Sequence, residues 1–437
     1  MRQAGLGIPE NERPGVTRSI DPRLLDDLVW RGLIAHSTDL DALRGALTTG
    51  SVRFYVGFDP TAPSLHMGNL VQLLTARRLQ DAGHTPYILV GGATGMIGDP
   101  RDSSERTLNS LDTVKDWTGR VRAQVAPYVD LEGSNAATIV NNYDWTASLS
   151  TIDFLREIGK HFPVNRMLAR DVVSRRLESG ISYTEFSYVL LQSMDYLTLF
   201  REHGVTLQFG GSDQWGNITA GAELIRRAAG GHAHAFATPL ITKPDGTKYG
   251  KTEGDALWLD AGMMSPYSFH QWWLNVDDSQ VGELLKIFTF LGRDEIEALE
   301  AETQEKPWLR AGQKRLADEV TTTVHGAEET EHAQAAAAAL FGGGDLHGLS
   351  GSTLSAALRE AGATSVSTLL PVVDLLVETG LAKSKGEARR TISEGGAYLN
   401  NVRVDDPEAE PSSSDLIDGS WLVLRRGKKQ FAGVEVG

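Results

Sequence analysis

The chain is expected to be an α/β protein, with a parallel-sheet domain first, a helical domain next and a small mixed α+β domain last. Three observations carry this. In the first half, short apolar runs alternate with helical periods and end at glycine-rich turns. From about Ser265 to Leu340 the pattern is helical. The tail then joins a capped helix to a tight-hairpin signal.

Asp21 to Leu47 reads as helix, with Leu24, Leu25, Leu28, Leu33 and Leu43 as its apolar residues. Strands are expected at Arg53 to Phe58, Pro86 to Val90, Ala137 to Val140, Thr206 to Phe209 and Pro239 to Thr242. Helices are expected from Gly68 to Ala82, closed by Gly83, from Thr184 to His203 and from Trp215 to Ala229. Such alternation calls for a parallel sheet covered on both faces, with ligands beyond the strands' carboxyl ends. The helical stretch is stopped by Gly292, Gly326 and Gly342, and Phe341 to Val366, rich in Gly and Ser, reads as a linker of weak internal structure. Ser384-Lys385-Gly386-Glu387 is a capping box opening a helix that ends at Gly395. Ala397 to Leu399, Asn400-Asn401 and Val402 to Val404 read as a hairpin, because Asn tolerates the positive φ of such turns. The expected domains are a flexible extension over 1–20, a sheet domain over 21–256, a helical domain over 257–341, the linker over 342–366 and the small domain over 367–433.

With 437 residues and 41% apolar composition the chain can build two or three cores. It has no cysteine, which excludes disulfides, thiol nucleophiles and thiolate metal sites. Met1 to Pro22 lacks the apolar core of a secretory signal and no run approaches the ~20 apolar residues of a membrane span, so a soluble, unexported, cytoplasmic protein is expected. The net charge is −15, yet the tail carries Lys383, Lys385, Arg389, Arg390, Arg403, Arg425, Arg426, Lys428 and Lys429. One end therefore has a basic footprint on an acidic whole.

The candidate chemistry lies at the strand ends. His66, two residues before Gly68, sets an imidazole at a helix entrance where backbone donors point outward. Tyr55, Gly57, Asp59 and Thr61 lead into this turn and bring a phenol, a carboxylate and a hydroxyl to the same crevice. Val90 to Pro100 is a second strand end with glycines; the glycines alone fit a structural turn and a ligand loop equally, and Asp99, a carboxylate able to receive an ammonium group, favours the ligand loop. On the helix from Thr184, Tyr188, Gln192 and Asp195 lie at i, i+4 and i+7, a narrow polar stripe among apolar residues. Asp213 after Gly210-Gly211 suits ribose hydroxyls, Ser212 or Asp213 suits the N-cap of the helix that follows, and both readings can hold together. Lys248 and Lys251, flanked by Gly246 and Gly250, sit in a turn-rich loop able to swing onto phosphates.

These residues resemble the bacterial tyrosyl-tRNA synthetases of class I over nearly the whole chain after about residue 20. His66-Met67-Gly68-Asn69 is similar to the HIGH signature of that family and Lys248-Tyr249-Gly250-Lys251-Thr252 to its KMSKS loop. Gly210-Gly211-Ser212-Asp213-Gln214-Trp215-Gly216-Asn217 and Asn141-Asn142-Tyr143-Asp144-Trp145 match further family stretches, and Leu369 to Phe431 resembles its S4-type RNA-binding domain. The resemblance implies a Rossmann-like catalytic domain, a helical anticodon-recognition domain and an S4-like α+β domain, in a homodimer. It implies activation of L-tyrosine by ATP, with Mg2+, to tyrosyl-adenylate and pyrophosphate, followed by transfer to the terminal ribose of tRNA(Tyr). Tyr55 and Asp195 would hold the substrate phenol; Tyr188, Gln192 and Asp99 its ammonium; Gln214 would lie near its carboxyl group. ATP would meet Gly57, Asp59, His66, Gly68, Asn69, Gly211, Asp213 and Lys251. Thr61, His66, Lys248 and Lys251 would stabilise the departing phosphates, and Lys385, Arg389 and Arg390 would meet tRNA. The chain departs from the family after Asp99-Pro100: where relatives often carry a lysine-bearing mobile loop it has Arg101-Asp102-Ser103-Ser104-Glu105-Arg106, so only Arg101 or Arg106 could reach the phosphates from that side. A tryptophan-specific cousin, a small-molecule nucleotidylyltransferase and a catalytically silent RNA-binding relative are the alternatives. The indole's single donor does not call for the Tyr55 and Asp195 pair, a nucleotidylyltransferase leaves the helical domain and tail unexplained, and a silent relative would lack the phosphate-binding residues.

Overall fold

The computed structural model describes residues 18–100, 108–243, 246–247, 249, 256–342, 346, 349, 351–360, 362–427 and 430–437. They form two compact units, one of residues 18–260 with 279–301, the other of 261–278 with 302–437.

The first unit is built on a six-stranded sheet of β1 (His36–Ser37), β2 (Arg53–Phe58), β3 (Thr85–Val90), β4 (Thr138–Asn141), β5 (Leu207–Gly211) and β6 (His234–Thr238). The spatial order is β1-β6-β5-β2-β3-β4, parallel except for β1. From β2 the chain steps outward to β3 and β4, then returns on the other side to β5 and β6. The order therefore reverses between β2 and β5, and ligands of such sheets bind outside the strand ends at this point. Phe54, Val56, Phe58, Phe209 and Phe236 are buried, and Phe209 stacks on Phe236 with centroids 4.9 Å apart. The helix Tyr183–His203 begins at Ser182, whose hydroxyl accepts from Glu185 N, and ends at Gly204 in the left-handed region, φ 64°. Its Val189, Leu190, Met194, Tyr196 and Leu197 share a core with Tyr55 and Leu89.

Four expectations change. Asp21 to Leu47 is two helices, Leu24–Trp30 and Leu40–Thr49. Gly32 at φ 75° ends the first, β1 intervenes as an antiparallel edge, and Asp39 caps the second by accepting from Ala42 N. The strand expected at Pro239 to Thr242 lies instead at His234–Thr238. There Ala235, Phe236 and Ala237 are fully buried, whereas Pro239 has no N–H for a ladder. Residues 281–301 belong to the sheet unit. Arg31 donates to the carbonyls of Thr289 (3.1 Å) and Leu291 (2.9 Å), and Arg78 to that of Thr289 (2.6 Å), which fixes the end of the helix Val281–Phe288 to the sheet domain. Finally, the expected linker contains a helix, Gly351–Glu360, with Leu354, Ala357 and Leu358 buried, and a strand, β7 (Thr364–Val366).

The second unit holds the helices Pro266–Leu274, Ala311–His325 and Ala327–Gly342, and a sheet of β7, β8 (Ala397–Leu399), β9 (Val402–Arg403), β10 (Trp421–Arg426) and β11 (Gln430–Val436). Its order is β7-β11-β10-β8-β9. The β8–β9 hairpin turns through Asn400 and Asn401 at φ 48° and 66°, the two positive values a two-residue turn requires. Ser384 caps the helix Lys385–Ser393; the Glu387 carboxylate accepts from Lys383 N at 2.8 Å, one residue before the position a capping box would use.

Candidate active site

The end of β2 runs into the helix Met67–Asp81 through the His66 turn. His66 is the N-cap: its Nδ1 accepts from Gly68 N at 3.0 Å, and Asn69 Oδ1 accepts from His66 N at 3.0 Å. A neutral imidazole whose Nδ1 accepts must carry its proton on Nε2, which makes Nε2 a donor. The surrounding protein pushes the His66 pKa below its ordinary value, opposed by Asp213, although the ring keeps an open edge at the crevice. The glycine is needed here: a Cβ on Gly68 would lie 3.0 Å from Cε1 of the ring. The turn is braced from behind, since Met67 N donates to Leu257 O and Leu259 N to Leu65 O, with the His66 and Trp258 rings 6.3 Å apart edge to face. The stretch just after the lysine loop is thus paired directly to the histidine turn.

The residues expected around an amino acid are joined by hydrogen bonds. Tyr55, on β2 and 1% exposed, accepts from Gln208 Nε2 on β5 at 2.7 Å. Asp195 is 2% exposed; Asn142 Nδ2 donates to its Oδ2 at 3.0 Å and Trp145 Nε1 to its Oδ1 at 2.8 Å. Burial pushes the Asp195 pKa up to about 7, against the pull of these two donors. Tyr188 Oη donates to Asp59 Oδ2 at 2.6 Å, and Asp59 Oδ1 accepts from Thr94 Oγ1 at 2.6 Å. Asp59, expected on the ATP side, is thereby bonded to Tyr188, which is expected on the tyrosine side, and to Thr94. Asp99 accepts from Gln214 Nε2 (2.7 Å) and Asn217 Nδ2 (3.1 Å). Gln192 Oε1 is buried with no hydrogen-bond partner, an acceptor left over for a ligand.

The loop after β3 owes its glycines to these contacts. A side chain on Gly91 would collide with Asp59 and Thr94, and one on Gly92 with Asn141. Asn142 stitches the loop to the pocket, accepting from Ala93 N and donating to both Thr94 and Asp195. Across the crevice, Asp213 is exposed at the end of β5, and Gly211 beside it leaves room for its carboxylate. Neither Ser212 nor Asp213 caps the helix Trp215–Ala229, whose N-cap is Gln214 without a side-chain bond. Gly57 and Thr61 are exposed at and just beyond the end of β2.

Lys248 and Lys251 lie outside the described residues, as do Arg101 and Arg106. The loop's entry is held by Gln280, which donates to Thr242 O at 2.7 Å and accepts from Tyr249 Oη at 2.6 Å. On the helix Lys385–Ser393, Lys385, Arg389 and Arg390 are all exposed. Lys385 pairs with Asp374 at 2.7 Å and Arg389 with Glu408 at 3.3 Å. Sequence alone gives no role to Asn142, Trp145, Gln208, Thr94 or Asn217. The signal available for Asn142 and Trp145 is their place just past the end of a strand, three residues apart.

The family model of the tRNA synthetases class I (W and Y) matches residues 47–342, and that of the tyrosine–tRNA ligase SYY-like C-terminal domain matches 357–434. The chain belongs to the class I tRNA synthetases. It is 60% identical to the tyrosine–tRNA ligase of Streptomyces griseus, over 95% of this chain and 99% of the relative. It is 59% identical to that of Streptomyces coelicolor, over 94% and 99%. Among solved structures, a C-terminally truncated Aspergillus nidulans mitochondrial tyrosyl-tRNA synthetase superposes with TM-score 0.66 at 29% identity, covering 73% of this chain and 94% of that one.

Proposed function

We infer that the chain is a tyrosine–tRNA ligase. It joins L-tyrosine to ATP as tyrosyl-adenylate with loss of pyrophosphate, then passes the tyrosyl group to the terminal ribose of tRNA(Tyr) for protein biosynthesis. The observation that carries the amino acid is Asp195, a buried acceptor held by Asn142 and Trp145 beside Tyr55. An ionised carboxylate can only accept, so it suits the phenol O–H, while Tyr55, already accepting from Gln208, keeps its own proton to donate to the phenol oxygen. An indole offers one donor and no acceptor, which leaves the Tyr55 proton unmatched.

In this reading Asp99, Tyr188 and the free Gln192 Oε1 surround the ammonium, and Gln214 lies by the carboxylate. One carboxylate oxygen attacks the α-phosphorus and the bond to pyrophosphate breaks. The His66 Nε2–H, Thr61, the backbone donors at Gly68 and the lysines Lys248 and Lys251 meet the charge that develops on the leaving phosphates. Such preorganised donors act without reorganising at the moment of reaction. Gly57, Asn69, Gly211 and Asp213 border the nucleotide, with Asp213 on the ribose hydroxyls. Among the described residues no group of three or more His, Cys, Asp or Glu is arranged for a metal, and Mg2+ is assigned to the ATP phosphates.

A homodimer is part of the proposal. Ile152, Leu155, Val164, Leu168, Leu177 and Tyr183 are exposed large apolar side chains within one stretch of sequence, which suits coverage by a second copy. No helix among the described residues is long and apolar enough to cross a membrane, and a cytoplasmic location follows from the role in protein synthesis. Charging of tRNA(Tyr) with labelled tyrosine tests the function: formation of tyrosyl-tRNA supports it, and charging of tRNA(Trp) with tryptophan instead would reject it.

A further inference from the structure

We propose that Arg170 and Asn217 are positioning residues for the amino-group end of the tyrosine site. Arg170 anchors the oxygen end of the Asn217 carboxamide while its NH2 end holds Asp99, and so fixes how Asp99 meets the substrate ammonium. The inference rests on Asp99 as an ammonium-binding residue.

Asn217 is 3% exposed and stands three residues after Gln214, on the first turn of the helix Trp215–Ala229. Its Nδ2 donates twice, to Asp99 Oδ1 at 3.1 Å and to Gln214 Oε1 at 3.0 Å. Its Oδ1 accepts from Arg170 Nη2. Gln214 completes the ring by donating from Nε2 to Asp99 Oδ2 at 2.7 Å. Both oxygens of Asp99 are thus held, one by each amide.

A carboxamide is nearly symmetric in shape and opposite in polarity at its two ends, so a buried one needs a neighbour to fix its direction. Asp99 and Gln214 Oε1 are acceptors and ask for the NH2 end. Arg170 is a donor only, and asks for the oxygen at the other end. A flip would set N–H against N–H at Arg170 and oxygen against oxygen at Asp99 and Gln214, leaving part-buried groups unmatched. Gly216 leaves room for Arg170: a Cβ there would lie 3.1 Å from its Nη2, tighter than ordinary contact. Arg170 itself precedes the helix Asp171–Arg176. Removing its guanidinium leaves the buried Asn217 Oδ1 without its donor and the amide tied at its Nδ2 end alone, so the amide can shift and Asp99 is less firmly held for the ammonium, while the phenol end is untouched.

The test uses the full chain and equilibrium dialysis, with L-tyrosine and with 3-(4-hydroxyphenyl)propanoate, which keeps the phenol and carboxylate but lacks the amino group. Arg170→Met should weaken tyrosine about tenfold, the size of one hydrogen bond to a charged group, weaken the desamino compound far less, since it shares only the Gln214 side of the network, and leave the KM for ATP unchanged. Arg170→Lys, still a donor, should restore most of the loss. Asn217→Leu should weaken tyrosine at least as much, and the double variant Arg170→Met with Asn217→Leu should be no worse than Asn217→Leu alone. Equal weakening of both compounds by Arg170→Met, no rescue by lysine, or additive losses would overturn the proposal. Asp99→Asn separates the two levels. If it weakens both compounds equally, Asp99 is not the ammonium site; if it weakens tyrosine alone while Arg170→Met does nothing, only the positioning role fails.

Discussion

The Gln208 amide donates to the Tyr55 hydroxyl at 2.7 Å across the β2–β5 pair. This bond occupies the hydroxyl as an acceptor and directs its own proton elsewhere. Tyr55→Phe removes that proton and also strands Gln208 Nε2, in a side chain whose Oε1 already lacks a partner. A stranded buried donor costs about 1–3 kcal/mol. The expected result is a lower Tm together with a several-fold smaller preference for tyrosine over phenylalanine in kcat/KM. An unchanged ratio would remove Tyr55 from substrate recognition.

Asp195 makes tyrosine recognition depend on pH. Its pKa stands at about 7, above the usual 3.8, because it is buried. The folded protein therefore binds this proton more tightly than the unfolded chain. Its contribution to stability is intact below about pH 4, declines as pH rises toward 7 and is level above that. Recognition runs the other way, since only the ionised form accepts from Asn142, Trp145 and the phenol together. The kcat/KM for tyrosine should rise through about pH 7, and Asp195→Asn should lower it about 10–100-fold and flatten the limb. The same limb in the Asn variant would assign it to another group.

Gly68→Ala separates stability from chemistry. Alanine favours a helix over glycine by about 1 kcal/mol, so Tm should hold or rise. The new methyl would lie 3.0 Å from the His66 ring, displacing it from Gly68 N and releasing the lock on its Nε2 proton. Pyrophosphate exchange should fall at least tenfold, the scale of a lost oxyanion-type donor. Full exchange activity would show that the ring's position does not matter.

Much of this was legible in sequence because local signals agreed with the fold. The strand Arg53–Phe58, the helix Trp215–Ala229 and the Asn400-Asn401 turn stand where their patterns placed them. The elements misread were those whose state is set at long range. β1 is two residues long and exists through its pairing with β6, and the helix Gly351–Glu360 is held by burial of Leu354 and Leu358 that its Gly- and Ser-rich surroundings conceal. In the site, Tyr188, Gln192 and Asp195 share a helix face and could be found by spacing. Their partners could not: Asn142 meets Asp195 from 53 residues away and Gln208 meets Tyr55 from 153.

The tail should act in charging and not in activation. Alanine at Lys385, Arg389 and Arg390 together removes three exposed cations from one helix. Tyrosine-dependent exchange should be unchanged, the KM for tRNA(Tyr) should rise, and the salt dependence of tRNA binding should become shallower by about one unit of log–log slope for each phosphate no longer neutralised. An unaltered KM and salt slope would take this face out of tRNA binding.

The most direct measurement is ATP–pyrophosphate exchange by the purified chain against each of the twenty amino acids in turn. Tyrosine alone should support rapid exchange, with phenylalanine and tryptophan far behind. Exchange driven by tryptophan, or none with tyrosine, would contradict the assignment of the Tyr55 and Asp195 pocket and the function built on it.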